Sequence, residues 1–269
     1  MRRIAIRLVP IAIAAIIVLF QFLSSEKATN EAGRAAHYGL SSEQEERLGL
    51  QSYQQVLSES QTVSSGPEYD LVSGVAARLA RATGKNLNWQ VAVIRGDKHV
   101  NAFCLPGGKI VVYTGILPVA KNAAGLATVM GHEMAHATLR HGSERMFKQR
   151  ATETLMGGVQ FSLGDMSYEQ RRAVMGAIGA GAQYGILLPF GRDHESEADR
   201  VGLGYMARAG YDPNEAVAFW ERMSKAGGDQ PPEFMSTHPS HGTRIARLKE
   251  MLPAALEEYR RAGATQLER

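Results

Sequence analysis

Residues 131–136 have the sequence Gly-His-Glu-Met-Ala-His, which places two histidines one helical turn apart with a carboxylate between them. Residues four positions apart on an α-helix point in nearly the same direction, so His132 and His136 can both direct a ring nitrogen at one cation. Glu133 lies about 100° further round the same turn. From there its carboxylate can act as a general base on a water held by the metal. The segment therefore predicts a helix that carries a zinc centre.

A second acidic segment supplies a third ligand. Residues 194–200 have the sequence His-Glu-Ser-Glu-Ala-Asp-Arg, in which Glu195 and Asp199 share one face of a helix and Glu197 does not. Glu195 completes the two-histidine, one-glutamate set of a catalytic zinc site whose fourth position is open to water. Asp199 is then expected to accept the free N–H of a ligand histidine and to fix its tautomer.

A different zinc geometry takes its third ligand from a histidine six residues after the second, with a glycine between them. In this sequence Gly142 stands where that histidine would be, and Leu139 stands where the glycine would be. A histidine does occur at His141, but on a continuous helix it would lie about 180° round from His132 and could not join the same site. We therefore expect the glutamate at Glu195 to be the ligand.

Together with a third motif at residues 236–241, Ser-Thr-His-Pro-Ser-His, these motifs resemble those of the gluzincin metallopeptidases, the family of the CAAX prenyl protease, HtpX and BepA. The resemblance covers about residues 101–248, and the third motif is similar to one in the periplasmic and mitochondrial overlapping-activity protease branch. It implies a zinc-dependent endopeptidase that acts on membrane or envelope proteins. It also implies that His238 lies over the metal, where it either stabilises the tetrahedral intermediate or plugs the site. His241 is expected to be structural.

Composition excludes several other classes of protein. The chain has 269 residues and a formal net charge of only +3, and it has no basic run with interleaved aromatic residues, so nucleic acid is not an expected partner. Its single cysteine, Cys104, excludes an intramolecular disulfide. Cys104 lies in an apolar, strand-like run, which favours a structural role over a nucleophilic one. We expect one metallopeptidase domain over residues 41–262.

The N-terminus has the pattern of an export signal or a membrane anchor. Arginines at positions 2, 3 and 7 precede an apolar run that ends at residue 23. The absence of a clear cleavage site favours an uncleaved anchor, and the arginines predict a cytoplasmic N-terminus with the catalytic domain outside. In a bacterium the protein would be anchored in the inner membrane with its catalytic domain in the periplasm. If the signal is cleaved, it would be a soluble periplasmic protein. Residues 24–40 are polar and small and predict a flexible tether.

Short apolar segments before the zinc helix predict a small sheet. Residues 87–95 alternate as a strand, and residues 101–105 and 109–114 flank a Pro-Gly-Gly turn typical of a hairpin. The expected fold class is α+β and mostly α-helical: a zincin-like domain with a small antiparallel sheet next to the zinc-binding helix. Asn101, Ala102 and Phe103 are candidates for an edge strand that binds substrate main chain to main chain. The alternative is an ordinary sheet strand.

The zinc helix is expected to begin near Pro118 or Asn122 and to run to Arg140, with Gly142 as its C-terminal residue. The apolar, glycine-rich run at residues 173–190 predicts a buried helix or a lid beside the cleft rather than a membrane span. A flexible loop is expected to carry His238 over the metal and to withdraw it.

These observations lead to a prediction of function. The protein is expected to be a zinc metalloendopeptidase, with one Zn²⁺ per chain, that hydrolyses misfolded or envelope-associated polypeptides. Glu133 and His238 are the candidate catalytic residues. The alternative is an envelope chaperone or adaptor whose zinc site is plugged and rarely active. A purely structural zinc site is disfavoured, because such sites close all four positions with thiolates and imidazoles.

Overall fold

The computed structural model describes residues 2–164, 166–172, 175, 191–226, 232–238 and 243–267. The chain forms two compact units. The first comprises residues 1–30, 34–41 and 142–188, and the second comprises residues 31–33, 42–141 and 189–269. The expected division into an N-terminal segment, a tether and one catalytic domain stays a prediction.

Helices dominate the described residues, which agrees with the predicted fold class. The helices are α1 (Arg2–Ser24), α2 (Ser42–Ser58), α3 (Pro67–Thr83), α4 (Leu117–Ala120), α5 (Ala123–Thr138), α6 (His141–Ser162), α7 (Arg192–Arg208), α8 (Asn214–Met223), α9 (Glu233–Thr237) and α10 (Arg244–Leu267). The strands are β1 (Glu26–Thr29), β2 (Ala35–Tyr38), β3 (Thr62–Val63), β4 (Gln90–Ile94), β5 (Ala102–Leu105) and β6 (Lys109–Tyr113).

In the first unit, α1 packs closely against α6. A Cβ added at Gly158 would lie 2.6 Å from Cβ of Ala14 and 2.9 Å from the carbonyl oxygen of Pro10, so glycine is required at this contact. Strands β1 and β2 form an antiparallel hairpin inside the segment that we expected to be a tether. Among the residues that the structure describes, no helix is both long enough and apolar enough to cross a membrane.

The second unit contains a four-stranded sheet in the order β3-β4-β6-β5. The β5–β6 hairpin is antiparallel as predicted, and its turn uses Gly107 and Gly108 at φ values of 73° and 82°. The expectation of a wholly antiparallel sheet is wrong, because β4 pairs with β6 in parallel. The chain passes through β5 at the edge before it returns to the centre as β6, so β4 and β6 run in the same direction.

Helix α5 begins at the predicted position but ends earlier than expected. The side chain of Asn122 caps its N-terminus by accepting from the backbone N–H of Gly125 at 2.8 Å. The prediction that the helix ends at Gly142 is wrong, because Arg140 adopts a left-handed φ of 58° and Gly142 lies within α6. Nε of Arg140 donates to both carboxylate oxygens of Glu45, at 3.0 and 3.1 Å. These bonds stabilise the turn of the chain at Arg140.

Helices α5 and α7 cross at a pair of glycines. A Cβ added at Gly202 would lie 2.8 Å from the carbonyl carbon and oxygen of Gly131, so any larger residue would push the two backbones apart. Apolar side chains of α5, including Leu126, Met130 and Met134, are fully buried in the main core. The crossing brings the acidic face of α7 against the histidine face of α5.

Candidate metal centre

Four buried side chains converge at this crossing. His132 and His136 come from α5, Glu195 comes from the first turns of α7, and His238 follows α9 directly. One ligand atom of each lies within 4.8 Å of those of the other three. The three metal ligands predicted from sequence are therefore brought together, and His238 joins them.

The spacing of these atoms fits a zinc ion. Nε2 of His132 lies 3.1 Å from Nε2 of His136 and 3.3 Å from Nδ1 of His238. Oxygens of Glu195 lie 3.4 Å from each of the two α5 nitrogens and 3.1 Å from Nδ1 of His238. Bonds of about 2.0–2.1 Å in a tetrahedron put ligand atoms roughly 3.3 Å apart. Three imidazoles and one carboxylate at these distances form a donor set suited to zinc.

The charge states of two members also suit a metal. Burial raises the pKa of Glu195, but hydrogen bonds from His132, His136 and His238 outweigh this effect and hold the pKa well below its usual range. Glu195 is therefore a carboxylate. Burial lowers the pKa of His136 well below its usual value, which favours the neutral imidazole that a metal needs.

Glu133 lies beside the donor atoms and is buried. Its Oε1 is 3.4 Å from Nε2 of His238 and has no hydrogen-bond partner among the described residues. Burial raises its pKa to about 7, although the charge of His238 and the backbone of Cys104 act in the opposite direction. The predicted base is thus beside the cluster and outside the donor set.

Asp199 contacts His132, as its position on α7 suggested. Oδ1 of Asp199 is 2.9 Å from Nδ1 of His132, which leaves Nε2 of that ring directed at the cluster. The same oxygen accepts from Arg244 at 2.6 Å, and the guanidinium carbon of Arg244 lies 3.5 Å above the ring of Trp220. Sequence reasoning missed Arg244 and Trp220. The only signal was an arginine soon after the third motif, and nothing in the sequence predicts its burial.

His141 lies closer to the site than we expected. Its Nδ1 is 3.0 Å from Nδ1 of His136, and its Nε2 is 3.0 Å from Oε2 of Glu197. His141 was predicted not to join the site on a continuous helix, but α5 ends before it and the left-handed Arg140 turns the chain back, which brings the ring to His136. His141 is not in the donor set, but it touches a donor.

Strand β5 runs beside α5 at the edge of the sheet. Ala102 and Phe103 lie in the strand, and Asn101 immediately precedes it, with its carbonyl accepting from the N–H of Tyr113 at 3.1 Å. Only one edge of β5 is paired within the described residues. Burial raises the pKa of the Cys104 thiol well above its usual range, which supports the structural role expected for this cysteine.

Some expectations lie outside the described residues. These are the structural role of His241 and, apart from Met175, the buried helix or lid at residues 173–190. The flexible loop expected before His238 is described only from residue 232, and there the chain forms the short helix α9.

A buried helix with two histidines and an adjacent glutamate, joined by a carboxylate from a second helix, defines a zincin-type metallopeptidase centre. The sequence matches the model of peptidase family M48 over residues 68–252. The chain belongs to this family.

Curated relatives include proteins from mitochondria and from bacteria. The chain is 40% identical to the mitochondrial metalloendopeptidase OMA1 of Schizosaccharomyces pombe over 217 residues, which cover 78% of the chain and 62% of the relative. It is 38% identical to the Arabidopsis thaliana OMA1 over 197 residues, 71% of the chain and 38% of the relative. It is 28% identical to the beta-barrel assembly-enhancing protease of Escherichia coli over 247 residues, 88% of the chain and 50% of the relative. The chain thus spans between about two fifths and three fifths of the length of these relatives.

Proposed function

We propose that this protein is a zinc-dependent metalloendopeptidase. The observation that carries the proposal is the carboxylate of Glu133, which is buried beside the four donor atoms with Oε1 lacking a hydrogen-bond partner among the described residues. An unsatisfied buried oxygen is costly in a protein interior. This free-energy cost is expected at a general base, because its oxygen must be free to accept a proton during the reaction.

In this mechanism His132, His136 and Glu195 would hold the zinc ion. When bound, zinc supplies a Lewis acid that acidifies water and polarises a carbonyl. Glu133 accepts the proton of the attacking water and then passes it to the leaving amine. Asp199 keeps a proton on Nδ1 of His132, so that Nε2 presents its lone pair to the ion.

We infer that β5 receives the substrate. An extended peptide can add to the unpaired edge of this strand through main-chain hydrogen bonds. Strand β5 packs against α5, the helix that carries Glu133, so a peptide on β5 would lie near the proposed base. Asn101, Ala102 and Phe103 are the proposed contact residues.

His238 is the proposed regulator of this site. Its Nδ1 supplies the fourth corner of the donor set, which a catalytic zinc site leaves open to water. We infer that this arrangement is closed and that His238 withdraws before a substrate carbonyl enters. His238 directly follows the five-residue helix α9, so a shift of this short helix would withdraw it from the site.

The substrates that we propose are misfolded or envelope-associated polypeptides. Residues 1–23 are the proposed membrane attachment, with the catalytic domain in the bacterial periplasm, either anchored to the inner membrane or soluble after signal cleavage. The basic start, the apolar run and the likeness to the E. coli beta-barrel assembly-enhancing protease support this proposal. Cell fractionation with N-terminal sequencing of the mature protein distinguishes the two forms, and a purely cytoplasmic protein would contradict both.

The alternative function is that of a chaperone or adaptor, and the closed donor set favours it as the second candidate. A chaperone would retain polypeptide binding when the proposed base is removed. A protease would lose its activity with that change.

The deciding experiment compares casein cleavage by the full chain with cleavage by the Glu133→Gln variant, with and without a chelator. The exposed Glu59→Gln substitution is the matched control. We expect chelator-sensitive cleavage by wild type and the control, and none by Glu133→Gln, which should still bind one zinc ion. Cleavage by Glu133→Gln would contradict the mechanism. A zinc-loaded wild type that cuts nothing but suppresses casein aggregation would favour the chaperone.

A further inference from the structure

We propose that His141 and Glu197 are positioning residues that orient His136 toward the zinc ion. This inference rests on the proposed zinc site. Both residues lie outside the donor set, and the mechanism above gives them no role. Their contacts form a chain that begins at a ligand and ends at a carboxylate of α7.

The side chains in this series of contacts lie close together. The His136 and His141 rings meet edge to face, with centroids 4.9 Å apart and planes at 75°. His141 is fully buried, and the ring of His194 stacks on it at 4.3 Å with an angle of 19°. The His141 ring is therefore held between two neighbours, with one nitrogen directed at His136 and the other at Glu197.

The donors and acceptors between His136 and Glu197 can be assigned from these two residues. His136 presents Nε2 to the donor cluster, so Nε2 carries the lone pair and Nδ1 carries the proton. Because two N–H groups cannot bond to each other, Nδ1 of His141 must be the acceptor at 3.0 Å. The proton of neutral His141 then lies on Nε2, which donates to Oε2 of Glu197 at 3.0 Å. Only one pair of tautomers satisfies both of these contacts.

The arrangement explains the acidic pattern of α7. Glu195 is the ligand, and Asp199 on the same face bonds directly to His132. Glu197 lies on a different face, about 200° from Glu195, and cannot reach a ligand itself. His141 lies between Glu197 and the ligand His136 and contacts both. One helix therefore supplies a ligand and orients both ligand histidines, one directly and one through a second imidazole.

The first test measures zinc affinity of the full chain by competition with a chromophoric chelator. His141→Phe keeps an aromatic ring beside His194 but removes the acceptor for His136. We expect affinity to fall about 10–100-fold, the usual effect of losing an outer partner of a ligand. Glu197→Gln retains an acceptor oxygen and should fall less than Glu197→Leu. His37→Phe, in the first unit, is the matched control and should leave affinity unchanged.

The second test is ¹⁵N NMR of the imidazoles in the zinc-loaded wild type, which needs no variant to fold. We expect His141 to carry its proton on Nε2 and His136 to carry its proton on Nδ1. A proton on Nδ1 of His141, or an unchanged affinity of folded His141→Phe, would overturn this inference alone. Zinc-loaded wild type without peptidase activity would overturn the proposed function and leave these tests intact. A wild type that binds no zinc would overturn both.

Discussion

The guanidinium of Arg244 donates to Oδ1 of Asp199 across 2.6 Å, and both side chains are buried. Burial raises the pKa of Asp199, but the positive charge of Arg244 and the hydrogen bond from His132 outweigh burial and lower it. Asp199 therefore stays ionised and links Arg244 on α10 to His132 on α5. The guanidinium carbon of Arg244 also lies 3.5 Å from the centre of the Trp220 ring.

Arg244→Leu should weaken both the fold and the metal site. Removing one partner of a buried ion pair leaves Asp199 as an uncompensated charge, which costs about 3–5 kcal/mol. The measurements are chemical unfolding and zinc affinity, with Arg261→Leu as the exposed control. The Asp199→Asn, Arg244→Leu double variant should recover part of the stability but not the affinity. A loss below about 1 kcal/mol in the single variant would contradict the assigned contact.

Gly202→Ala should separate the two helices that meet at the site. The added methyl would overlap the backbone of Gly131, and overpacking of this kind costs about 1–3 kcal/mol. Because Glu195 and Asp199 move with α7, zinc affinity should fall as well. Gly74→Ala is the control, since its added Cβ has open space and it should stabilise α3 by up to about 1 kcal/mol. Equal effects of the two substitutions would count against the close crossing.

His238→Ala should increase the initial rate of casein cleavage. If the closed arrangement holds about nine tenths of the molecules, opening the site raises the active fraction about tenfold. Initial-rate kinetics at fixed zinc, with zinc content measured in parallel, provide the check. A fall of roughly 100 to 1000-fold with zinc retained would instead identify His238 as a donor to the developing oxyanion.

Removing zinc should lower the thermal unfolding midpoint in proportion to the logarithm of free zinc. At a free concentration of about 100 times Kd, the ion stabilises the folded state by about 2.7 kcal/mol, or roughly 5–10 °C for a protein of this size. Calorimetry over a buffered zinc series measures the dependence. His132→Ala, which loses a ligand, should abolish it, and a midpoint independent of zinc in wild type would rule out binding at this site.

Local patterns predicted much of the second unit. The i, i+4 pairs at 132 and 136 and at 195 and 199 were predicted to share single helix faces, and they do so on α5 and α7, because helical periodicity is a local property. The Pro-Gly-Gly turn predicted the β5–β6 hairpin, because glycines accept the positive φ values found there. The end of α5 could not be predicted in this way. Arg140 takes a left-handed conformation that glycine usually fills, and it is held there by Glu45, 95 positions away.

The amino-acid sequence by itself predicted the helical fold class, the three proposed metal ligands and the neighbouring glutamate. Each of these depends on spacing within one element. Tertiary structure alone decided what surrounds them: the glycine contact between α5 and α7, the burial of Arg244 against Asp199 and the return of His141 to His136. These contacts join residues that are distant in sequence or separated by a chain reversal, and their energies depend on exclusion of water by the packed core. Helical periodicity carries no information about that exclusion.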